Sequence, residues 1–297
     1  MSFFLICCLL AQVATSAYQR GLEAYSKDDL REAERSLKLA LQADRNSFAT
    51  RFLLGATLVR MDRADEAIPE LEIARKLNPR NADVVKLLAI QYMERNRRTD
   101  SLRLLQAFPE AARDEEVYLL LIEANQDAGS VDEVGRLVER AVKRYPGSAR
   151  LNAWMGFEMR QAARFAEAQS YLRKALQQDP SLAAPYFLIA DVLVKTEKYS
   201  EALPWLRKAI QLDPDDTEAA IDLSRVLVGL GDLPGAVREL EQAFRKSPEN
   251  ANLAVELART YARAGELEKA RTQAEIAGRL RHRENVFPDS LRLEKRK

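Results

Sequence analysis

Few side chains in this sequence have the types and the spacing that catalysis requires. Most acyl- and phosphoryl-transfer sites need a positioned base, and histidine is the commonest base near neutral pH. The chain has one histidine, His282, and it lies in a cationic stretch between Arg281 and Arg283. Such surroundings indicate a solvated residue near the end of a chain. The sequence therefore predicts no catalytic residue, and we expect the protein not to be an enzyme.

Grouped carboxylates are the second feature that could support chemistry, as a general acid–base pair or as metal ligands. They occur at Asp28–Asp29, at Asp114–Glu116 and from Asp213 to Asp216. Each group lies at an expected turn between helices, where acidic side chains accept hydrogen bonds from free N–H groups and favour the helix dipole. We interpret them as capping residues and predict no metal site. The glycines form no phosphate-binding loop, so no cofactor is predicted.

The two cysteines, Cys7 and Cys8, lie in an apolar run from Phe3 to Ala11, which precedes the small residues of Ala14–Ala17. This order is typical of a secretory signal peptide. The run is also shorter than the about 20 apolar residues that a membrane span requires. We therefore predict a signal peptide at residues 1–17 and an exported protein, periplasmic or secreted. Because no Lys or Arg precedes the run, a cytoplasmic protein with an apolar first helix is the alternative.

Composition and charge narrow the fold and the partners. The chain carries 46 Lys and Arg against 45 Asp and Glu, for a formal net charge of +1. No global positive field is therefore present to attract a polyphosphate backbone, and we predict no nucleic-acid partner. Hydrophobic residues make up 47% and charged residues 31%, with only 11 Gly and 11 Pro in 297 residues. This mixture favours helices over strands.

A repeat of 34 residues organises the chain from Ala14 onward. Repeats begin near residues 14, 48, 82, 115, 149, 183, 217 and 251, with one slip of a single residue before the fourth. Within each repeat, small residues recur at positions 8, 20 and 27, and large apolar residues recur at positions 7 and 24. Two antiparallel helices can approach closely where one offers a small side chain, and large side chains then fill the space between crossings.

The end of each repeat carries signals that separate one helix pair from the next. Proline recurs at position 32, where it stops the second helix because it has no N–H. Position 34 carries side chains that can accept a hydrogen bond from the first turn of the following helix. These predicted N-caps are Ser47, Asn81, Ser148, Asp216 and Asn250.

This pattern resembles that of the tetratricopeptide repeat family, and it matches best from Tyr186 through Ala202 and Ala209 to Pro214. The resemblance covers residues 18–281 and leaves a charged C-terminal tail at residues 282–297. It implies an all-α fold, a right-handed superhelical solenoid of antiparallel helix pairs with about eight repeats.

Two repeats depart from the pattern. The third has Arg98 where an apolar residue is usual and Phe108 where alanine is usual, and the fourth has Ile122 and Val134 at positions that are small elsewhere. The resemblance therefore leaves open the packing between Asn96 and Arg113, and whether the fourth repeat bends.

The resemblance also implies a binding surface, because positions 2, 5, 9, 12 and 13 of the first helices commonly face a concave groove in this family. Aromatic side chains flanked by charges suit a peptide or a helix, since apolar groups anchor and ionic groups set the register. The residues expected to bind a partner are Phe52, Leu119, Glu123, Phe157, Arg160, Phe187, Asp191, Arg225 and Arg259.

The resemblance thus implies a scaffold or adaptor that binds a peptide or helix of a partner protein, here expected in the cell envelope. Three alternatives accompany this interpretation. The adaptor could be cytoplasmic, or the repeats could bind a non-protein polymer such as peptidoglycan or RNA. In the third, Phe52, Phe157 and Phe187 pack onto adjacent repeats and line no groove.

Overall fold

The computed structural model describes residues 3 to 286, with side chains from Gln12 to Arg281. Over these residues the chain forms sixteen α-helices and one turn of 3-10 helix, with no β-strand. The all-α prediction is confirmed. The helices are α1 (Phe3–Ser26), α2 (Leu30–Ala43), α3 (Phe48–Arg60), α4 (Ala64–Leu77), α5 (Ala82–Glu94), α6 (Arg98–Ala107), α7 (Glu115–Asp127), α8 (Val131–Arg144), α9 (Ala149–Gln161), α10 (Phe165–Gln178), α11 (Ala183–Lys195), α12 (Tyr199–Leu212), α13 (Thr217–Gly229), α14 (Leu233–Lys246), α15 (Ala251–Arg263) and α16 (Leu267–Val286).

Odd-numbered helices are the first helices of the repeats, and seven of them begin where the 34-residue division places a repeat. Only α1 differs, because it begins at Phe3 rather than at Ala14 and continues without a break past Ala17. The signal peptide at residues 1–17 stays a prediction, and the side chains of its apolar run, Phe3 to Ala11, lie outside the described residues. None of the helices in the described part of the chain is long and apolar enough to span a membrane.

The predicted N-caps are confirmed. The side chains of Ser47, Asn81, Ser148, Asp216 and Asn250 each accept a hydrogen bond from a backbone N–H in the first turn of the helix that follows. These bonds satisfy N–H groups that have no partner inside the helix.

A residue in the left-handed conformation follows each first helix, at position 15 of the repeat. The eight residues are Asp28, Asp62, Asn96, Gly129, Ala163, Glu197, Gly231 and Gly265, with φ from 57° to 84°. The next N–H then bonds back across the turn, as from Arg164 to the Met159 carbonyl at 2.8 Å. This bond closes the end of the helix and lets the second helix begin within a few residues.

The chain forms two compact bodies, which we call the N-terminal body (residues 1–145) and the C-terminal body (residues 146–297). The N-terminal body contains α1 to α8. Helices approach closely at position 8 of its repeats: a Cβ added to Gly55 would lie 2.6 Å from Leu71 Cδ2, closer than atoms can pack. Glycine at this position therefore lets α3 and α4 make contact through Leu71, which is fully buried.

The third repeat has a shortened second helix, at the place where the sequence departs from the pattern. Helix α6 has ten residues, whereas α4 has 14. It ends at Ala107 because Pro109 cannot donate a helical hydrogen bond. Phe108 caps the helix and is buried. Arg113 is also buried, and its guanidinium donates to the carbonyls of Phe108 and Gln106, each at 3.2 Å.

In the fourth repeat, the bulky residues at small positions are accommodated inside the core. Ile122 and Val134 are both buried. The residue at position 24, which is leucine in most repeats, is here the smaller Val138. Removing one methylene opposite Ile122 offsets part of the added volume, so the pair can pack within one repeat.

The C-terminal body contains α9 to α16 and packs around one main cluster, in which Leu172, Ile189, Leu206 and Leu223 are buried. Helix α16 has 20 residues and ends at Val286, past the predicted end of the repeats at residue 281. The first residues of the predicted charged tail are therefore helical. The rest of the tail, residues 287–297, lies outside the described residues. The right-handed superhelix concerns the path of the whole chain and stays a prediction.

Candidate functional site

Two cavities lie along the first helices of the C-terminal body. Cavity A has a volume of about 420 Å³ and is lined by Arg160, Phe187, Asp191, Glu218, Ile221, Asp222, Arg225, Asn252, Val255, Glu256, Arg259 and Arg281. Cavity B has a volume of about 450 Å³ and is lined by Val194, Tyr199, Arg225, Val228, Gly229, Glu256, Arg259, Thr260 and Arg263. They share Arg225, Glu256 and Arg259, so together they form one continuous surface, which we call the groove.

The structure brings together a majority of the residues expected to bind a partner. Arg160, Phe187, Asp191, Arg225 and Arg259 all line cavity A. They come from α9, α11, α13 and α15, which stack in sequence. The contacts join a residue of one repeat to the residue three positions earlier in the next, as from Arg160 at position 12 to Asp191 at position 9 and from Arg225 at position 9 to Glu256 at position 6.

The aromatic residues Phe157 and Phe187 have different positions. Both are half-buried and pack against the main core cluster of the C-terminal body. Phe157 also makes an edge contact with Trp154, with ring centroids 5.7 Å apart. Only Phe187 additionally lines cavity A. Phe157 therefore fits the interpretation in which an aromatic residue only packs onto neighbouring repeats. Phe187 packs in the same way and also lines cavity A.

The three expected site residues in the N-terminal body have different surroundings. Phe52 is half-buried and stacks on Phe48, with centroids 6.0 Å apart, and Glu123 is exposed. Leu119 is only 3% exposed and is therefore part of the core, which corrects the expectation that it faces a groove. The reason is that α7 packs against α5, α6 and α8 and is buried at every residue from Val117 to Ile122.

One partly buried ion pair fixes the wall of cavity A. Arg160 Nε lies 2.5 Å from Asp191 Oδ2, and Lys195 Nζ lies 3.5 Å from Asp191 Oδ1. The hydrogen bond to the Asp191 carboxylate raises the pKa of the Arg160 guanidinium, so this group stays charged. A buried ion pair adds little net stability, because desolvation offsets the attraction, but it holds both side chains in one geometry.

A chain of ion pairs runs through the residues that the two cavities share. Arg225 lies 2.9 Å from Asp222 Oδ1 and 3.7 Å from Glu256 Oε1, and Arg259 lies 3.5 Å from Glu256 Oε2. The carboxylate side chains are only 11% and 14% exposed, whereas those of Arg225 and Arg259 are 51% and 69% exposed. Burial raises the pKa of Asp222. The floor of the groove is thus acidic, and the surface it presents to solvent is cationic.

Asp222 and Glu256, which lie at position 6 of their repeats, were not among the residues expected to bind a partner. Each precedes an expected site residue by three positions, Arg225 or Arg259. Side chains three apart are neighbours on a helix, so this spacing was a signal that could have found them.

The described residues contain no group of three or more potential ligands placed to hold a metal ion. His282 lies outside the part of the chain whose side chains are described.

The sequence matches the family model described as "Tetratricopeptide repeat" at residues 58–124, 159–220, 193–243 and 227–279, which is more than half of the chain. Among proteins of curated function, no sequence matches.

Several solved structures are similar in fold. MamA from Desulfovibrio magneticus RS-1 has a TM-score of 0.50 at 19% identity, covering 57% of this chain and 96% of its own. YrrB, described as a TPR protein with an unusual peptide-binding site, has a TM-score of 0.50 at 17% identity, covering 63% and 97%. A chain of the APC/C hetero-tetramer Cut9–Hcn1 has a TM-score of 0.63 at 14% identity, covering 92% of this chain and 52% of its own. At these identities the likeness shows the fold.

Proposed function

This chain belongs to the tetratricopeptide repeat family, and we propose that it is a non-enzymatic scaffold that binds a peptide or helix of a partner protein in the groove of its C-terminal body. The observation that carries the proposal is the convergence of Phe187, Arg160, Asp191, Arg225 and Arg259 on one cavity. An aromatic anchor beside fixed charges is the arrangement that most often supplies affinity and register at protein interfaces.

The side chains that line the groove are held in place before a partner binds. Phe187 packs against the core on one side, which limits its rotamers before any ligand arrives. Arg160 is held by Asp191, and Arg225 is held by Asp222. Side chains that are already ordered lose less conformational entropy on binding, so more of the contact energy appears as affinity.

Capture of a partner by the full-length chain tests this function. The first variant is Phe187→Ala, which removes the anchor. Its matched control is Phe244→Ala, because Phe244 is also half-buried against a core cluster but lines neither cavity. We expect the wild type and the control to capture the same partner from cell extract and Phe187→Ala to lose it, with unchanged helical circular dichroism. Equal capture by both variants would place binding elsewhere.

We also propose that the protein is exported, on the basis of the apolar run and the small residues that follow it. Cleavage after Ala17 would leave Tyr18–Ser26 as the remainder of α1. N-terminal sequencing of the protein isolated from its own cells tests this. A start at Tyr18 supports export, whereas a start at Met1 or Ser2 supports the cytoplasmic alternative.

A further inference from the structure

The wall of cavity B includes a glycine at a position that carries a long side chain in the adjacent repeats. Gly229 occupies position 13, where the neighbouring repeats have Lys195 and Arg263. A Cβ at Gly229 would lie 2.8 Å from the Tyr199 ring, so the ring fills the space that a side chain would take. Tyr199 thus forms an aromatic wall directly against the backbone of α13.

The charges around cavity B do not balance. Arg225, Arg259 and Arg263 line it with a single carboxylate, Glu256. Glu256 lies at 3.7 Å from Arg225 and 3.5 Å from Arg259, which leaves most guanidinium N–H groups of both residues available. Within the described part of the chain, Arg263 is exposed and makes no ion pair. Asp222 does not line the cavity, but it is bonded to Arg225 at 2.9 Å and offsets a second arginine. The local excess is therefore one positive charge, which corresponds to the exposed Arg263.

The opposite side of cavity B is apolar. Val194, Tyr199 and Val228 are half-buried and pack against the main core cluster, so they are fixed in place. Planar guanidinium groups bind carboxylates through paired N–H donors, and a fixed apolar wall beside them suits an aliphatic side chain.

We propose that cavity B binds an acidic peptide segment, in which carboxylates bond to Arg259 and Arg263 and an adjacent aliphatic side chain packs on Tyr199. This inference rests on the proposed function and names the chemistry of the partner. An acidic protein segment fits better than a nucleic acid because the cationic surface is confined to a few residues. A chain with a net charge of +1 does not provide the extended positive track that a polyphosphate needs.

Binding of defined synthetic peptides to the full-length chain, measured by fluorescence polarisation, tests the proposal. The probe is a capped peptide with a central leucine flanked by aspartates in a Gly/Ser background. Two companions replace the aspartates by asparagine or by lysine. We expect the aspartate peptide to bind at least about tenfold more tightly than the asparagine peptide, and this advantage to shrink as salt is raised.

Charge reversal supplies the decisive comparison. The variant Arg259→Glu/Arg263→Glu should bind the aspartate peptide at least about tenfold more weakly than the wild type does. It should also bind the lysine peptide more tightly than the wild type does. Arg207→Glu is the matched control, because Arg207 is exposed on α12 and lines neither cavity. Retained affinity of the reversed variant for the aspartate peptide would overturn the assignment.

Two further outcomes contradict this inference while leaving the scaffold function intact. In the first, the wild type binds none of the peptides but still captures a partner in a Phe187-dependent manner. In the second, a short single-stranded RNA binds more tightly than the aspartate peptide and is weakened by the same charge reversal. Failure of the proposed function would instead appear as the absence of any Phe187-dependent capture.

Discussion

Position 15 of the repeat shows how a backbone requirement acts on single residues. The left-handed conformation closes the first helix in every repeat, but only Gly129, Gly231 and Gly265 meet this requirement with glycine. Aspartate and asparagine tolerate the conformation better than other side chains do. Ala163 and Glu197 have no such advantage, so these two positions carry backbone strain.

We predict that Ala163→Gly stabilises the chain. Relief of the strained left-handed conformation should raise the free energy of unfolding by roughly 1–2 kcal/mol. The greater conformational entropy of glycine in the unfolded chain should offset about half of this gain. The measurement is the free energy of unfolding in urea. The matched control is Gly265→Ala, which should destabilise by about 1 kcal/mol through its φ alone, because no atom lies within 4 Å of the added Cβ. A destabilised Ala163→Gly would contradict the argument.

At the same scale, Asp222 predicts a pH dependence of stability. Burial raises the pKa of Asp222, so the folded chain binds this proton more tightly than the unfolded chain. Its contribution to the free energy of unfolding is present below the ordinary aspartate pKa and is lost as pH rises through the raised value. Relative to wild type, Asp222→Asn should therefore become more stable as pH rises through the acid range. If urea titrations show a difference in free energy of unfolding between wild type and Asp222→Asn that is constant with pH, Asp222 makes no pH-dependent contribution to stability.

Within each repeat, the packing of the two helices depends on the contact between positions 8 and 24. A Cβ added to Gly156 would lie 2.5 Å from Leu172 Cγ and 3.3 Å from the Ala168 carbonyl oxygen. A larger residue at that place therefore requires either the Leu172 side chain or the separation of α9 and α10 to change.

Gly156→Ala should destabilise the chain by roughly 1–3 kcal/mol, because overpacking outweighs the better helix propensity of alanine. The second substitution Leu172→Val removes atoms from the clash, as Val138 does opposite Ile122 in the fourth repeat. The double variant should lose less free energy of unfolding than the two single variants lose together. A double-mutant cycle of urea unfolding measures this difference. Simple additivity would show that the two positions do not share one contact.

The same scale explains what the sequence predicted well about the fold. The starts of the first helices were located to the residue in repeats two to eight, since the repeat period carries them along the chain. In most of these repeats a cap such as Ser148 or Asp216 marks the start, because caps act within one turn, whereas α11 begins after Leu182 without a side-chain cap. The shortening of α6 was not predicted, although Pro109 is visible in the sequence. The early end of α6 goes together with the burial of Phe108 and Arg113, and this burial is a property of tertiary packing.

At the scale of the whole molecule, each repeat contacts mainly its neighbours, so stability is distributed along the chain. Leu206→Ala removes a fully buried side chain of α12 and should cost about 2–5 kcal/mol locally. Hydrogen exchange should then show lost protection in α11 to α13 and much smaller changes in α3 and α4. An equal loss of protection in all helices would mean that the chain unfolds as one cooperative unit.

The candidate site was predicted in part from the sequence. Repeat numbering placed Arg160, Phe187, Asp191, Arg225 and Arg259 on the first helices, and the structure gathers them at one cavity. Repeat numbering cannot tell which of these positions neighbouring helices cover, and for that reason Leu119 was assigned to the wrong environment.

The sequence by itself determined the helical repeat, its period and its turns, because caps, prolines and small residues act over a few neighbouring positions. The tertiary structure decided what the repeats present to a partner. It placed the carboxylates of Asp222 and Glu256 beneath exposed arginines, and it packed Tyr199 against Gly229 in the wall of cavity B. Exposure and local charge depend on side chains about 30 residues apart in sequence, and only the stacking of successive repeats brings those side chains together.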